Sequence, residues 1–320
     1  GAVLALADAG LQLDDIRGRS ALIVIGAALM DFGTINKGVD LVLRRGPVNA
    51  LPGSVVSASV SSIGGTVGDY VGGYTRTLTM QSACWAGLDS IGRAAEIIAT
   101  GEADIAICGG TEAPLYFHPM FEFKLAGLAP GNPEFPDRQC RPFDLWRTTG
   151  VIGEGAGVLV LEPEESPRAA YCYIEGYAFA SDPIDGLGDG LRDAIRLAMG
   201  NAAVRPQSVD CISAWGPGHK IIDAAEAKAL ASVFGAELDS VPVVSIKGAI
   251  GNPLGAAGAI QVIAAAMGFK HSLIPPTVNW TFPDPACPLN LSAAVRHVPQ
   301  NVTLVNGHGL SGTNSCLVLA

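Results

Sequence analysis

Positive charge is scarce in this chain: 20 lysines and arginines face 30 aspartates and glutamates, a formal net charge of −10 at pH 7. No basic cluster offsets that balance, which excludes a nucleic-acid binder, because such a protein must neutralise phosphates. A local basic patch for an acidic protein partner stays open. Charged residues of both signs make up only 16% and aromatics 6%, whereas 49% of residues are hydrophobic and 40 are glycine; this describes a tightly packed globular protein and excludes a disordered one. The 320 residues suffice for one large domain or two moderate ones. Cysteine pairs are missing too. The seven cysteines stand singly, without zinc-site spacing or the density of a disulfide scaffold, so no metal is expected and a reducing, cytoplasmic setting is the default. The start shows no signal peptide. It also lacks an initiator methionine and opens inside what reads as a helix, residues 2–9, which points to a fragment. One uncharged run, residues 248–269, has the length of a membrane span, but its Asn252, Pro253 and Gln261 and its repeated Gly and Ala read as a buried loop and core helix.

What is present is more specific. In Thr79-Met80-Gln81-Ser82-Ala83-Cys84-Trp85-Ala86-Gly87-Leu88 a buried strand turns directly into a helix, with Cys84 at the junction. Leu88, Ile91, Ala95, Ile97 and Ile98 recur at helical spacing, and Gly101 after Thr100 reads as the C-terminal cap. A cysteine in the first turn meets unpaired amides and the positive end of the helix dipole, both of which favour a thiolate. Cys84 is therefore the candidate nucleophile, against the plainer reading of a small apolar residue at a tight junction. A second strand-like run, Ala103-Asp104-Ile105-Ala106-Ile107-Cys108, ends in Gly109-Gly110.

Strand-like and helix-like runs alternate along the rest of the chain. Ala21-Leu22-Ile23-Val24-Ile25-Gly26 reads as a buried strand before a glycine turn, and residues 158–161 and 170–178 as further strands. Residues 190–199 read as a helix with Leu191, Ile195 and Ala198 on one face. Cys211-Ile212-Ser213-Ala214 leads into the loop Trp215-Gly216-Pro217-Gly218; residues 223–234 form a helix ending at Gly235, and Val243-Val244-Ser245-Ile246 is another strand. The succession predicts an α/β fold with helix-covered, mostly parallel sheets. Two halves, residues 1–165 and 166–320, share the rhythm of strand, glycine turn and helix.

Four further segments follow in a telling order: Arg141-Pro142-Phe143-Asp144, Gly153-Glu154-Gly155-Ala156-Gly157-Val158-Leu159-Val160-Leu161-Glu162, Ile274-Pro275-Pro276-Thr277-Val278-Asn279 and Gly312-Thr313-Asn314. Together with the cysteine elbow they resemble the β-ketoacyl synthases, the condensing enzymes of fatty-acid and polyketide synthesis. The resemblance runs from about Ala5 onward, and the family's first strand and helix are missing upstream. It implies a thiolase-like fold: two similar halves, with helices layered between and outside mixed, mostly parallel sheets. It implies an acyltransferase of the 3-oxoacyl-[acyl-carrier-protein] synthase type, without metal or nucleotide cofactor. A thiolate takes an acyl group from a carrier thioester, a malonyl thioester loses carbon dioxide, and the resulting carbanion equivalent attacks the acyl-enzyme. By position the backbone amides of Cys84 and Leu310 resemble the oxyanion pair. Further implications are a donor on acyl carrier protein or coenzyme A, and a dimer of identical or different ketosynthase chains. The loop Asn306-Gly307-His308-Gly309-Leu310-Ser311-Gly312 also spells GxGxxG, but no helix or ribose-binding acid follows it, which rules out a dinucleotide site.

The chain departs from this family where protons move. The family has one histidine in a His-Gly-Thr-Gly-Thr loop and another after Lys-x-x-x-Gly; here Trp215 and Asn252 stand at those positions. Asp223, Glu226 and Lys247 keep the family's spacing around them. An indole N–H only donates and an amide does not titrate, so the groups that assist decarboxylation are replaced. Asn252 can still hydrogen-bond a thioester carbonyl, as an asparagine does in the related type III synthases. His219, four residues past Trp215, and His308, which replaces a family phenylalanine beside the expected oxyanion hole, are candidates for a displaced base; His308 is the better placed. His118 is expected at the pocket mouth, with His271 and His297 peripheral. Arg147-Thr148-Thr149-Gly150-Val151 departs from the family's Arg-Asp-Gly-Phe-Val, and Leu310 replaces a gating phenylalanine, so the entrance is expected to be wider or differently gated. Lys247, Asp223 and Glu226 also have a plainer reading as a mutually neutralised buried ion network.

Two functional readings result. The first is an acyl-thioester enzyme using Cys84, which condenses, transfers or hydrolyses its acyl group. The second is a silent partner of a complete ketosynthase, resembling a chain-length factor. The retained cysteine favours the first, and the two replaced histidines favour the second. A thiolase-like reaction with Cys316 as a second catalytic cysteine is a weaker alternative, since the family has a buried strand there.

Overall fold

The computed structural model of the chain describes residues 1–131 and 134–320. Its first sheet contains β1 (Ala21–Gly26), β2 (Thr75–Met80), β3 (Ile105–Glu112) and β4 (Gly155–Leu161) in the order β2-β1-β3-β4. β1 runs parallel to β2 and β3, and β4 is antiparallel to β3. The second sheet contains β5 (Ile174–Ser181), β6 (Cys211–Ser213), β7 (Val243–Val244), β8 (Thr303–His308) and β9 (Thr313–Leu319) in the order β5-β9-β8-β6-β7.

Side-chain alternation along β1 explains the layering. Leu22 and Val24 face inward with Leu88 and Ile91 of the Ala86–Ala99 helix, with Ala259 and Val262 of the Ala257–His271 helix, and with Val305 and Leu317 of the second sheet. Ala21, Ile23 and Ile25 face outward onto Leu6, Leu11, Ile16 and Val71. A strand covered on both faces reads as an unbroken apolar run, which is what β1 is. The outer face of the second sheet packs Ile212, Leu304 and Val318 against Leu191 and Ile195 of the Asp189–Asn201 helix and Leu230 and Phe234 of the Lys220–Phe234 helix. Helices thus lie between and outside two mixed sheets.

The two central helices approach each other and the first sheet at glycines. A Cβ on Gly87 would lie 2.5 Å from the Gly255 carbonyl oxygen, and one on Gly110 would lie 2.3 Å from the same atom. Gly87→Val is expected to cost about 2–3 kcal/mol by forcing backbone apart at this crossing, read as a lower denaturant midpoint. An unchanged midpoint would show that the helices slide freely.

Several boundaries differ from the sequence expectation. The strand expected to end in Gly109-Gly110 is longer: β3 continues through both glycines to Glu112, and β4 passes so close that a Cβ on Gly109 would meet the Gly157 oxygen at 2.1 Å. The strand expected at residues 170–178 is β5, starting at Ile174. Its ladder with β9 is flanked by mutual Tyr173–Ala320 backbone bonds. The strand expected to reach Ile246 stops at Val244, and the short helix Lys247–Ile250 follows. β2 is an edge strand with Thr77 and Leu78 exposed, where a buried strand was expected. Residues 248–269 fall in that short helix, a 3-10 turn and the Ala257–His271 helix. Among the described residues no helix is long and apolar enough to cross a membrane.

Candidate active site

Cys84 lies in a 3-10 turn, Ala83–Trp85, between β2 and the Ala86–Ala99 helix. The elbow is sharp: Ala83 has φ 53°, in the left-handed region that costs a residue with a Cβ about 1 kcal/mol or more. Neighbouring bonds hold it. Ser82 Oγ donates to Asp89, which also accepts from the Tyr177 hydroxyl at 2.5 Å. Trp85 Nε1 donates to Thr313 Oγ1 at 2.8 Å, tying the elbow to the start of β9.

The electrostatics correct the expected thiolate. Burial pushes the Cys84 thiol up to about 11; the Leu310 amide, Lys247 and its own backbone amide oppose that rise, and Glu112 adds to it. Desolvation therefore outweighs the short helix-end effect. Cys84 and Leu310, whose amides the resemblance implies as an oxyanion pair, both line one pocket.

Cys84 opens into a narrow pocket whose lining includes Trp215, His219, Asn252, His308 and Leu310. Leu310 is half-exposed on the tight β8–β9 connection, where Gly309 N–H bonds the Thr313 carbonyl. Asn252 is fixed by its backbone, its N–H bonding Val151 O at 2.7 Å and its carbonyl accepting from Gly153 N–H at 3.0 Å. Its buried side-chain Oδ1 has no hydrogen-bond partner among the described residues. An amide held in this way has a free end for a ligand.

Asp223, Glu226 and Lys247 sit behind the pocket. Glu226 accepts the backbone N–H groups of Trp215 and Gly216, each at 2.8 Å, and Asn306 Nδ2 at 3.0 Å. Asp223 accepts from the amides of Phe143 (2.8 Å) and Gly218 (3.1 Å), so the two carboxylates anchor the Trp215–Gly218 loop from the Lys220–Phe234 helix. Burial pushes Asp223 up to about 7 against the lowering pull of those amides and Arg147. The expected mutual ion network is corrected. Lys247 bonds Gln261 Oε1 at 2.9 Å and stands 3.8 Å over the Trp215 ring, while the salt-bridge partner of Asp223 is Arg147, at 3.4 Å. Burial pushes Lys247 down to about 7, against the raising pull of Glu226 and Asp223, neither of which pairs with it directly.

The histidines separate clearly. His219 caps the Lys220–Phe234 helix, its Nδ1 accepting from the Ile221 and Ile222 amides, and burial lowers its pKa, with Arg147 adding. That cap starts the helix three residues earlier than its apolar pattern suggested. His308 is buried at the end of β8 with Nδ1 2.5 Å from Asn314 Oδ1. His118 is not at the pocket: it is exposed, 3.4 Å from Glu122 and packed on Phe32, because the Phe117–Leu125 helix turns it outward. Cys316 is enclosed in β9 opposite Asn306, away from the pocket lining, and all seven cysteines are free. Among the described residues no group of three or more His, Cys, Asp or Glu converges on a metal position.

The sequence reading missed Glu112 and Gln261. Glu112 accepts from the amides of Ala28, Leu29 and Gly255, and burial pushes it up to about 7. Its signal was a carboxylate ending an apolar strand. Gln261 bridges Lys247 to the Ala214 and Asn306 carbonyls, signalled by an amide inside an alanine-rich helix.

A nucleophile elbow facing a glycine hairpin across two helix-filled sheets defines a thiolase-type acyl-transfer scaffold. Family comparison agrees: the β-ketoacyl synthase N-terminal domain matches residues 2–166, and the β-ketoacyl synthase C-terminal domain matches residues 171–281. The chain belongs to the β-ketoacyl synthase family. It is 32% identical, over 335 aligned positions, to a putative polyketide β-ketoacyl synthase 1 of Streptomyces virginiae, covering 98% of this chain and 78% of that protein. Among solved structures it resembles the ketosynthase complex AntDE:AntF, a type II polyketide synthase acyl carrier protein with its ketosynthase bound to a hexaketide. The TM-score is 0.95 at 29% identity, covering 99% of this chain and 82% of that one. The ishigamide ketosynthase/chain length factor gives a TM-score of 0.92 at 31% identity, covering all of this chain and 79% of its own. These neighbours carry the thiolase fold.

Proposed function

We propose that the chain is an acyl-thioester transferase of the ketosynthase type, acylated on Cys84 by a thioester of acyl carrier protein or coenzyme A. The observation that supports this is the placement of Cys84 and Leu310, with their backbone amides, in the lining of one pocket. Those amides stabilise the oxyanion formed when the thiolate attacks a thioester carbonyl, and the Asn252 amide supplies a further hydrogen bond to the acyl donor. Trp215 and Asn252 leave the malonyl-decarboxylating step without its two histidines; Lys247 acts on the site through the Trp215 ring it covers. The division at residue 165, with the nucleophile before it and the oxyanion amide of Leu310 after it, belongs to the same reading. So does a cytoplasmic setting.

Pairing with a second ketosynthase chain, identical or different, is part of the proposal. β2 is an edge strand with an open side, the kind of edge that natural proteins cover. Trp215 and Asn252 also favour a second reading, a non-catalytic partner akin to the chain length factor of the ishigamide pair.

Intact mass after exposure to acyl-carrier and acyl-coenzyme A thioesters separates the two. Acylation of the wild type that vanishes in Cys84→Ala is the expected result. A folded wild type that acquires no adduct and turns over no donor would favour the silent partner.

A further inference from the structure

His308 lines the Cys84 pocket and also a smaller neighbouring crevice that shares Trp215 and Ile222 as walls. Its Nδ1 lies 2.5 Å from Asn314 Oδ1, and since a carbonyl oxygen only accepts, Nδ1 carries the proton. A neutral ring held this way keeps Nε2 as its proton acceptor. The asparagine amide is held the right way round. Its Nδ2 donates to Asp182 Oδ1 at 3.0 Å, with the Gly312 carbonyl at 3.3 Å. Asp182 Oδ1 is itself fixed by the amides of Gly188 and Gly190. Carboxylate, amide and imidazole therefore form a chain that selects one tautomer.

The other lining side chains cannot do the same work. The lone pair of His219 Nδ1 is engaged in the helix cap, so in its neutral form the proton sits on Nε2. Trp215 and Asn252 do not titrate. Among the described residues lining the pocket, His308 is the one neutral base with a free acceptor nitrogen.

We infer that His308 is the general base of this site and that the site hydrolyses its acyl thioester, with Asn314 and Asp182 as positioning residues. The inference rests on the acylation of Cys84. Nε2 removes a proton from water as the water oxygen forms a bond to the acyl carbonyl carbon, and the oxyanion sits against the Cys84 and Leu310 amides. The C–S bond then breaks, its electron pair passes to the Cys84 sulfur, and the imidazolium returns the proton to that sulfur. The products are a carboxylic acid and the free thiol; water is the only co-reactant.

The test offers the butanoyl thioester of N-acetylcysteamine to the full chain in ¹⁸O-labelled water, following the Cys84 adduct by intact mass and the released butanoate. The wild type is expected to release acid carrying one labelled oxygen. His308→Phe, charged by long exposure at about pH 9, where more of Cys84 is thiolate, and then returned to pH 7, loses the adduct at least about 100-fold more slowly. His308→Ala is equally slow and regains part of the rate with added imidazole, which a merely structural role would not show. Asp182→Asn, which removes the charge and keeps an oxygen for the glycine amides, slows loss of the adduct by less than His308→Phe does. Adduct loss as fast in His308→Phe as in the wild type, or an adduct that persists in both, overturns the inference. Neither adduct nor acid from any form overturns instead the reading of Cys84 as the acyl carrier.

Discussion

Alkylation of Cys84 by iodoacetamide is expected to accelerate about tenfold per pH unit from roughly pH 7 to 10, about a thousandfold in all, because the thiolate is the reacting species. The thiol, pushed up to about 11 by burial, stays largely protonated across that range. The sign follows directly: a raised thiol pKa leaves the thiolate scarce below it, and each unit of pH multiplies the scarce form. Peptide mapping assigns the rate to Cys84, since the other cysteines are also shielded. A rate that levels off near neutrality would mean that the Leu310 amide and Lys247 outweigh desolvation. The same result bears on chemistry. A nucleophile that rests as a thiol needs a base beside it, whereas a resting thiolate does not.

The largest expected loss of stability comes from Arg147→Met. The guanidinium is 1% exposed and lies 3.4 Å from Asp223 and 2.5 Å from Asp284, with further bonds to the Asp144 and Lys220 carbonyls. Methionine keeps the length but leaves Asp223, fully buried, without its countercharge, a loss of about 3–5 kcal/mol. The penalty should grow with pH. Asp223 in the folded chain already titrates near 7 against an ordinary 3.8, so the folded state holds its proton more tightly than the unfolded state does. Stability falls as pH climbs through that interval, and more steeply once Arg147 is gone. Denaturant midpoints at about pH 5 and pH 8 measure the slope; a deficit equal at both would show that Asp223 is not the uncompensated charge. Arg147→Met with Asp223→Asn should recover part of the loss, which marks the two residues as coupled.

How much of this could be read in advance depends on what kind of information each residue carries. The elbow, the glycine hairpin and the loop at Trp215 are local features, and their order along the chain brought Cys84, Leu310, Trp215 and Asn252 into one pocket. The ionisation of Cys84 was misjudged because helix position is local while burial depends on the whole fold. Charge partnerships failed for the same reason. Spacing put Lys247 with Asp223 and Glu226, but the distances that decide an ion pair are set by packing, and packing gave Asp223 to Arg147 and Lys247 to Gln261. His308 stood out as a substitution; its orientation by Asn314 follows only from the β8–β9 pairing, which places His308 opposite Asn314.

The Trp85–Thr313 bond ties a side chain beside Cys84 to the strand that follows Leu310. The Cys84 elbow follows a strand of the first sheet and Leu310 joins two strands of the second, so their placement is fixed between the sheets and not within either one. Their relative placement is a mechanical quantity, set by how the two glycine-paired central helices seat against each other. Damage to that seating should surface twice, as a lower denaturant midpoint and as a displacement of Leu310 from Cys84.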